Sequence, residues 1–123
     1  MLFRSFIYVR PKPKEHGLGN QIEGRFEKEQ NIVIIEDLVS TGKSSLQVAD
    51  VLRNEGVNVV GMVSIFNYGF DVAEEAFKNA NVPLESLTTY PALIDIAIEK
   101  GIVKKEMENI LMQWRKNPAQ WMQ

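Results

Sequence analysis

The alternation of apolar and polar positions divides the chain into short, well-separated elements. Phe6-Ile7-Tyr8-Val9 is a run of β-forming residues and predicts a first strand that reads as the inside of a core. Residues 10–21, RPKPKEHGLGNQ, have no apolar period; their two prolines and two glycines predict a surface loop. A short strand is expected between Ile22 and Phe26. Ile32-Val33-Ile34-Ile35 is different in kind. Four consecutive β-branched residues without alternation predict a strand covered on both faces, as in a parallel sheet.

After a polar stretch, Leu46, Val48, Ala49 and Leu52 form one broad helical face, which Gly56 stops. Val57 to Phe66 is apolar and β-branched again and predicts a second buried strand. Residues 32–66 therefore spell strand, polar loop, helix and strand, a right-handed βαβ unit. Val72, Ala73, Ala76, Phe77 and Ala80 mark a further amphipathic helix, which Pro83 breaks. Leu84 to Thr89 predicts a short strand. Leu93, Ile94, Ala97 and Ile98 predict a helix ended by Gly101, and Met107, Ile110, Leu111 and Trp114 a last one closed by Pro118. With no internal repeat or linker, the expectation is one α/β domain over 1–123.

Composition narrows the chemistry. The 123 residues are 45% apolar and 24% charged, the balance of an ordinary globular domain. A formal net charge of −2 gives no general attraction to nucleic acid or anionic membrane, so an anion site must be local. The absence of cysteine removes disulfides, thiolate metal sites and thiol catalysis, and fits a cytoplasmic location. No apolar run approaches the roughly 20 residues that span a bilayer.

The candidate site is the loop at 36–45, which follows the first buried strand. Ligands of open α/β sheets bind beyond the carboxyl ends of the strands. Ser40, Thr41 and Ser44 offer hydroxyls, Gly42 admits close approach to an anion, and the next helix presents its N-terminus. One reading is structural only: Ser40 or Thr41 caps the helix and Glu36-Asp37 is a solvated strand end. A nucleoside triphosphatase P-loop is a second, since Gly42-Lys43-Ser44 matches the end of that motif; Asp37 stands where its first glycine must be, which removes it.

The third reading rests on a resemblance. From Val33 to Ser45 the order of apolar strand, acid pair, two apolar residues and a Thr-Gly loop resembles the phosphoribosyl pyrophosphate motif of type I phosphoribosyltransferases. Upstream, Arg10, Lys14, His16 and Gly17 match in spacing and order the mobile catalytic loop of the orotate phosphoribosyltransferases. Pro11 departs from the second lysine of many members, and Lys12 is its nearest substitute. Leu18-Gly19-Asn20-Gln21-Ile22-Glu23-Gly24 and Phe66-Asn67-Tyr68-Gly69-Phe70 also resemble that family.

The resemblance implies a type I phosphoribosyltransferase-like α/β fold, a largely parallel sheet flanked by helices. It implies transfer of 5-phosphoribosyl from phosphoribosyl pyrophosphate to orotate. Glu36, Asp37, Leu38, Val39, Ser40, Thr41, Gly42, Lys43 and Ser44 would form the donor site, with Asp37 favoured over Glu36 as the contact to the ribose hydroxyls. Arg10, Lys14, His16 and Asp37 would be catalytic, the cations meeting charge on the leaving pyrophosphate. Other members place an orotate-binding arginine near the position of Phe70; its absence leaves Ser40 as the local candidate. Mg²⁺ would arrive with the donor and bind mainly its oxygens and water, with no direct protein ligand. A homodimer with shared active sites is implied. The resemblance covers essentially the whole chain, and the N-terminal half of a full-length member would be missing. A purine phosphoribosyltransferase and a non-catalytic phosphoribosyl-phosphate-binding fragment are the alternatives.

Overall fold

The computed structural model describes residues 6–12 and 21–121. Two short strands, β1 (Tyr8–Val9) and β2 (Ile22–Glu23), pair antiparallel at the start of the described chain. Three longer strands, β3 (Asn31–Val39), β4 (Asn58–Asn67) and β5 (Leu84–Thr89), form a parallel sheet in the order β3-β4-β5. Helices α1 (Lys43–Asn54) and α2 (Asp71–Asn79) connect them, while α3 (Tyr90–Glu99) and α4 (Glu108–Lys116) complete the chain.

The strand–helix alternation expected from the apolar periods is present, and Leu84 to Thr89 is a strand as read. Each helix stop has a local cause. Gly56 at φ 83° and Gly101 at φ 69° take the left-handed backbone that ends a helix at little steric cost. Adjacent strand residues point to opposite faces, and one face carries the core. Ile34 and Met62, paired in register, are buried with Ala49 and Leu52 of α1, Ala73 and Phe77 of α2, and Val57 and Val82. Ile7, Val9, Ile22 and Phe26 close the flank of this cluster.

Two expectations are corrected. Ile32 to Ile35 is not covered on both faces: Ile32 and Ile34 turn to the core, whereas Val33 and Ile35 are exposed, Ile35 by 67%. Both connecting helices lie on the Ile34–Met62 side, so nothing described reaches the other. The described part of the opening segment, from Phe6, is likewise not a buried core strand; residues 1–5 lie outside the described residues. Among the described residues only Tyr8 and Val9 pair, with the two-residue β2, and Phe6 before them is 81% exposed.

Candidate functional site

β3 ends in Glu36, Asp37, Leu38 and Val39 before the chain turns into α1. Strand alternation separates the acids: Glu36 is half-buried beside the core face and Asp37 is exposed. Val39 is fully buried, and its carbonyl accepts the Tyr68 N–H at 3.1 Å, which ties this strand end to the loop after β4. Ser40 is half-buried, and Thr41, Lys43 and Ser44 are exposed around the turn.

Neither Ser40 nor Thr41 caps α1. The N-cap is Gly42 at φ 77°, with no side-chain cap hydrogen bond. The first-turn N–H groups of a helix have no intrahelical acceptor, so here they are left for an external one. The first turn also holds no acidic side chain, which would compete for the positive end of the helix dipole. A capping reading leaves these donors unexplained; an anion-binding turn uses them.

Gly42 is fixed from below by a contact the sequence does not announce. It is buried, and a Cβ there would come within 2.7 Å of Cε2 of Phe77 on α2. The turn therefore rests on an aromatic ring in the core. Periodicity marks Phe77 only as a core residue, with no sign of its place beneath the loop.

A second support stands behind the β4 end. Tyr68 stacks on Phe70 with ring centroids 5.1 Å apart, and Trp114 of α4 meets Tyr68, Phe70 and Tyr90 at 5.8, 5.7 and 5.2 Å. Arg115 of α4 donates from a terminal guanidinium nitrogen to the Gly69 carbonyl at 2.5 Å. Its Nε is buried without a hydrogen-bond partner. No arginine is close to Phe70 in sequence, yet folding brings this one to the neighbouring residue. The Tyr90 hydroxyl, 3.5 Å from the Leu111 carbonyl, is held above its usual pKa, by burial first and by nearby Tyr68 second.

The basic segment is only partly in view. Arg10 lies on the β1–β2 unit and donates from Nε and a terminal nitrogen to Glu23 Oε1 at 2.7 and 2.5 Å. Its charge is engaged there and not at the loop. Lys14, His16 and Gly17 lie outside the described residues. Among the described residues no group of three or more His, Asp or Glu side chains could hold a metal ion, and no helix is long and apolar enough to cross a membrane.

Comparison with known proteins bears on the chain as a whole. The orotate phosphoribosyltransferase of Bacteroides thetaiotaomicron is 51% identical over 116 residues, which are 94% of this chain and 55% of that protein. The chain is a relative of the orotate phosphoribosyltransferases. It spans about half the length of the curated relatives it matches. Among solved structures, the Mycobacterium tuberculosis orotate phosphoribosyltransferase matches 71% of this chain and 49% of its own, with 28% identity and a TM-score of 0.62. Leishmania donovani UMP synthase, at 24% identity, shares the fold over 90% of this chain and 24% of its own, with a TM-score of 0.71. The type I phosphoribosyltransferase fold expected from the motif is thus the fold of this chain. No family model matches the sequence.

Proposed function

We propose that this chain carries the phosphoribosyl pyrophosphate site of an orotate phosphoribosyltransferase. The reaction joins a ring nitrogen of orotate to the anomeric carbon of the donor as the bond to pyrophosphate breaks, giving orotidine 5′-phosphate and pyrophosphate. The observation that carries this reading is the uncapped turn at Gly42, set five residues after the acid pair that lies near the end of a parallel strand. A structure of the M. tuberculosis relative, matching 58% of this chain at a TM-score of 0.52, is a complex with phosphoribosyl pyrophosphate.

In this reading residues 40–44 hold the 5′-phosphate on the first-turn N–H groups of α1, with Lys43 adding charge at its edge. Asp37 accepts hydrogen bonds from the ribose hydroxyls, and Glu36, turned toward the core side, contributes less. The exposed Asp37 carboxylate also favours positive charge building at the anomeric carbon. Ser40, half-buried at the head of this turn, touches the base in the same reading. Arg10, Lys14 and His16 neutralise charge on the departing pyrophosphate, for which Arg10 exchanges its Glu23 partner for phosphate oxygens.

Mg²⁺ supplies charge neutralisation on the pyrophosphate and is held by donor oxygens and water, since the acid pair alone is a sparse protein ligand set. The complete enzyme is proposed as a cytoplasmic homodimer with shared sites. A binding chain without turnover is the second reading, favoured by the coverage of only 55% of the first relative.

Titration of phosphoribosyl pyrophosphate with Mg²⁺ into the chain, followed by an assay of orotate-dependent pyrophosphate release, tests both. Binding that disappears in Asp37→Ala supports the site. Binding without turnover selects the second reading, and absence of binding to folded chain overturns both.

A further inference from the structure

We propose that Asn67, at the carboxyl end of β4, is a specificity-determining residue whose side-chain amide donates a hydrogen bond to an acceptor oxygen of the base. The inference rests on the phosphoribosyl reading above and adds one contact to that site. Asn67 is half-buried, and its Oδ1 accepts the Gly69 N–H at 2.8 Å. Only the oxygen of the amide can accept from a backbone N–H, so this bond fixes which way round the group stands. The nitrogen carries two donor hydrogens, and among the described residues they meet no acceptor. The only buried side-chain nitrogen or oxygen without a partner among those residues is Nε of Arg115, so the Asn67 amide nitrogen reaches solvent.

The turn that carries this amide is held from several sides. Gly69 takes φ 67°, its N–H is bound by Asn67, and its carbonyl accepts from Arg115 at 2.5 Å. The Tyr68 N–H donates to the Val39 carbonyl at 3.1 Å, and the Tyr68 and Phe70 rings both pack on Trp114. A donor whose direction is set before the ligand arrives loses little freedom on binding and discriminates by geometry. Its place matters as much as its rigidity. Asn67 pairs in register with Val39, the residue before Ser40. Neighbouring strands lie about 4.8 Å apart, so Asn67 stands one strand spacing from the head of the 40–44 loop.

The chemistry narrows the ligand atom. In the phosphoribosyl reading the first turn of α1 serves the phosphate and Asp37 the ribose hydroxyls, which leaves the base for a neutral donor on the next strand. Orotate presents keto and carboxylate oxygens, and all of them accept. A base with an exocyclic amino group would set donor against donor at Asn67, a repulsive contact that favours the oxygen-bearing ring. A turn-capping role alone accounts for Oδ1 and leaves the nitrogen without a use.

Calorimetric titration of the full chain with orotidine 5′-phosphate and with ribose 5-phosphate separates the base from the rest of the ligand. The parent chain should bind orotidine 5′-phosphate the more tightly. Asn67→Ser keeps a neutral acceptor for the Gly69 N–H and removes the amide; Asn67→Asp keeps that acceptor and replaces the donor with a second oxygen. Both should retain the circular dichroism of the parent. Asn67→Ser should weaken orotidine 5′-phosphate by about tenfold and leave ribose 5-phosphate within about twofold, the worth of one hydrogen bond to the base. Asn67→Asp adds charge and should weaken both ligands, orotidine 5′-phosphate by more. Equal weakening of the two ligands in both variants overturns the proposal, because the amide would then touch the ribose phosphate. Unchanged binding by the folded variants overturns it too, and so does a parent chain that binds orotidine 5′-phosphate no more tightly than ribose 5-phosphate. In that last case ribose 5-phosphate still binds and the phosphoribosyl reading stands; if neither ligand binds, that reading fails and this proposal with it.

Discussion

Gly42 and Phe77 are 35 positions apart in sequence and in contact in space: a methyl group on Gly42 would lie 2.7 Å from the Phe77 ring. The glycine is needed twice over, once for its φ of 77° and once for the ring beneath it. Gly42→Ala is expected to cost about 2–5 kcal/mol, combining left-handed strain of roughly 1–2 with overpacking of roughly 1–3. Urea denaturation measures it. In Phe77→Leu the space opens, so the double variant should cost less than the two singles added; strict additivity would show that the two residues do not oppose one another.

Asp37 is exposed near the carboxyl end of β3, so its role is expected in binding and not in folding. Asp37→Asn should leave the thermal midpoint within about a degree or two. Affinity for phosphoribosyl pyrophosphate should fall by roughly tenfold or more, the worth of a hydrogen bond to a charged group. Glu36→Gln should have the smaller effect of the two. Calorimetric titration of both variants checks the order, and equal losses would remove the distinction drawn from strand alternation.

Arg115 holds Gly69, whose neighbour Tyr68 holds Val39 at the start of the 40–44 loop. Arg115→Met keeps much of the aliphatic stem and removes the donor. Loss of the bond to a half-buried carbonyl is expected to cost about 1–3 kcal/mol. It should also speed hydrogen exchange at Tyr68 more than in the β3 interior. Uniform acceleration across the sheet would assign Arg115 to general stability alone.

Tyr90 provides a pH signature. Its folded pKa is raised above the ordinary 10.0, chiefly by burial, so the native state keeps the phenol proton more tightly than the unfolded chain does. The resulting contribution to stability is fully present below the unfolded value near 10 and declines as pH rises through the folded one. Denaturation midpoints should therefore fall more steeply above pH 10 in the parent than in Tyr90→Phe. Parallel curves would mean that ionisation of Tyr90 is not linked to folding.

Much of this was legible in the chain itself. Side-chain period marked the three parallel strands and their helices because period 2, period 3.6 and unbroken apolar runs each follow from local backbone geometry. The loop at 36–45 was legible as a candidate site for the same reason: acid pair, small residues and glycine lie close together in sequence, and the turn that assembles them is local. Cover on both faces, expected from the apolar runs of β3 and β4, is not met among the described residues, although the side chains are apolar on both faces.

What folding alone decided is whatever joins residues far apart. Phe77 beneath Gly42, Arg115 beside Gly69, and Trp114 against Tyr68, Phe70 and Tyr90 depend on how α2 and α4 settle on the sheet. The exposure of Val33, Ile35, Ile65 and Leu87 is of the same kind. A residue's pattern states which environment it suits, but burial depends on the layer that other parts of a polypeptide bring. Here that layer is present on one side of the sheet and absent among the described residues on the other.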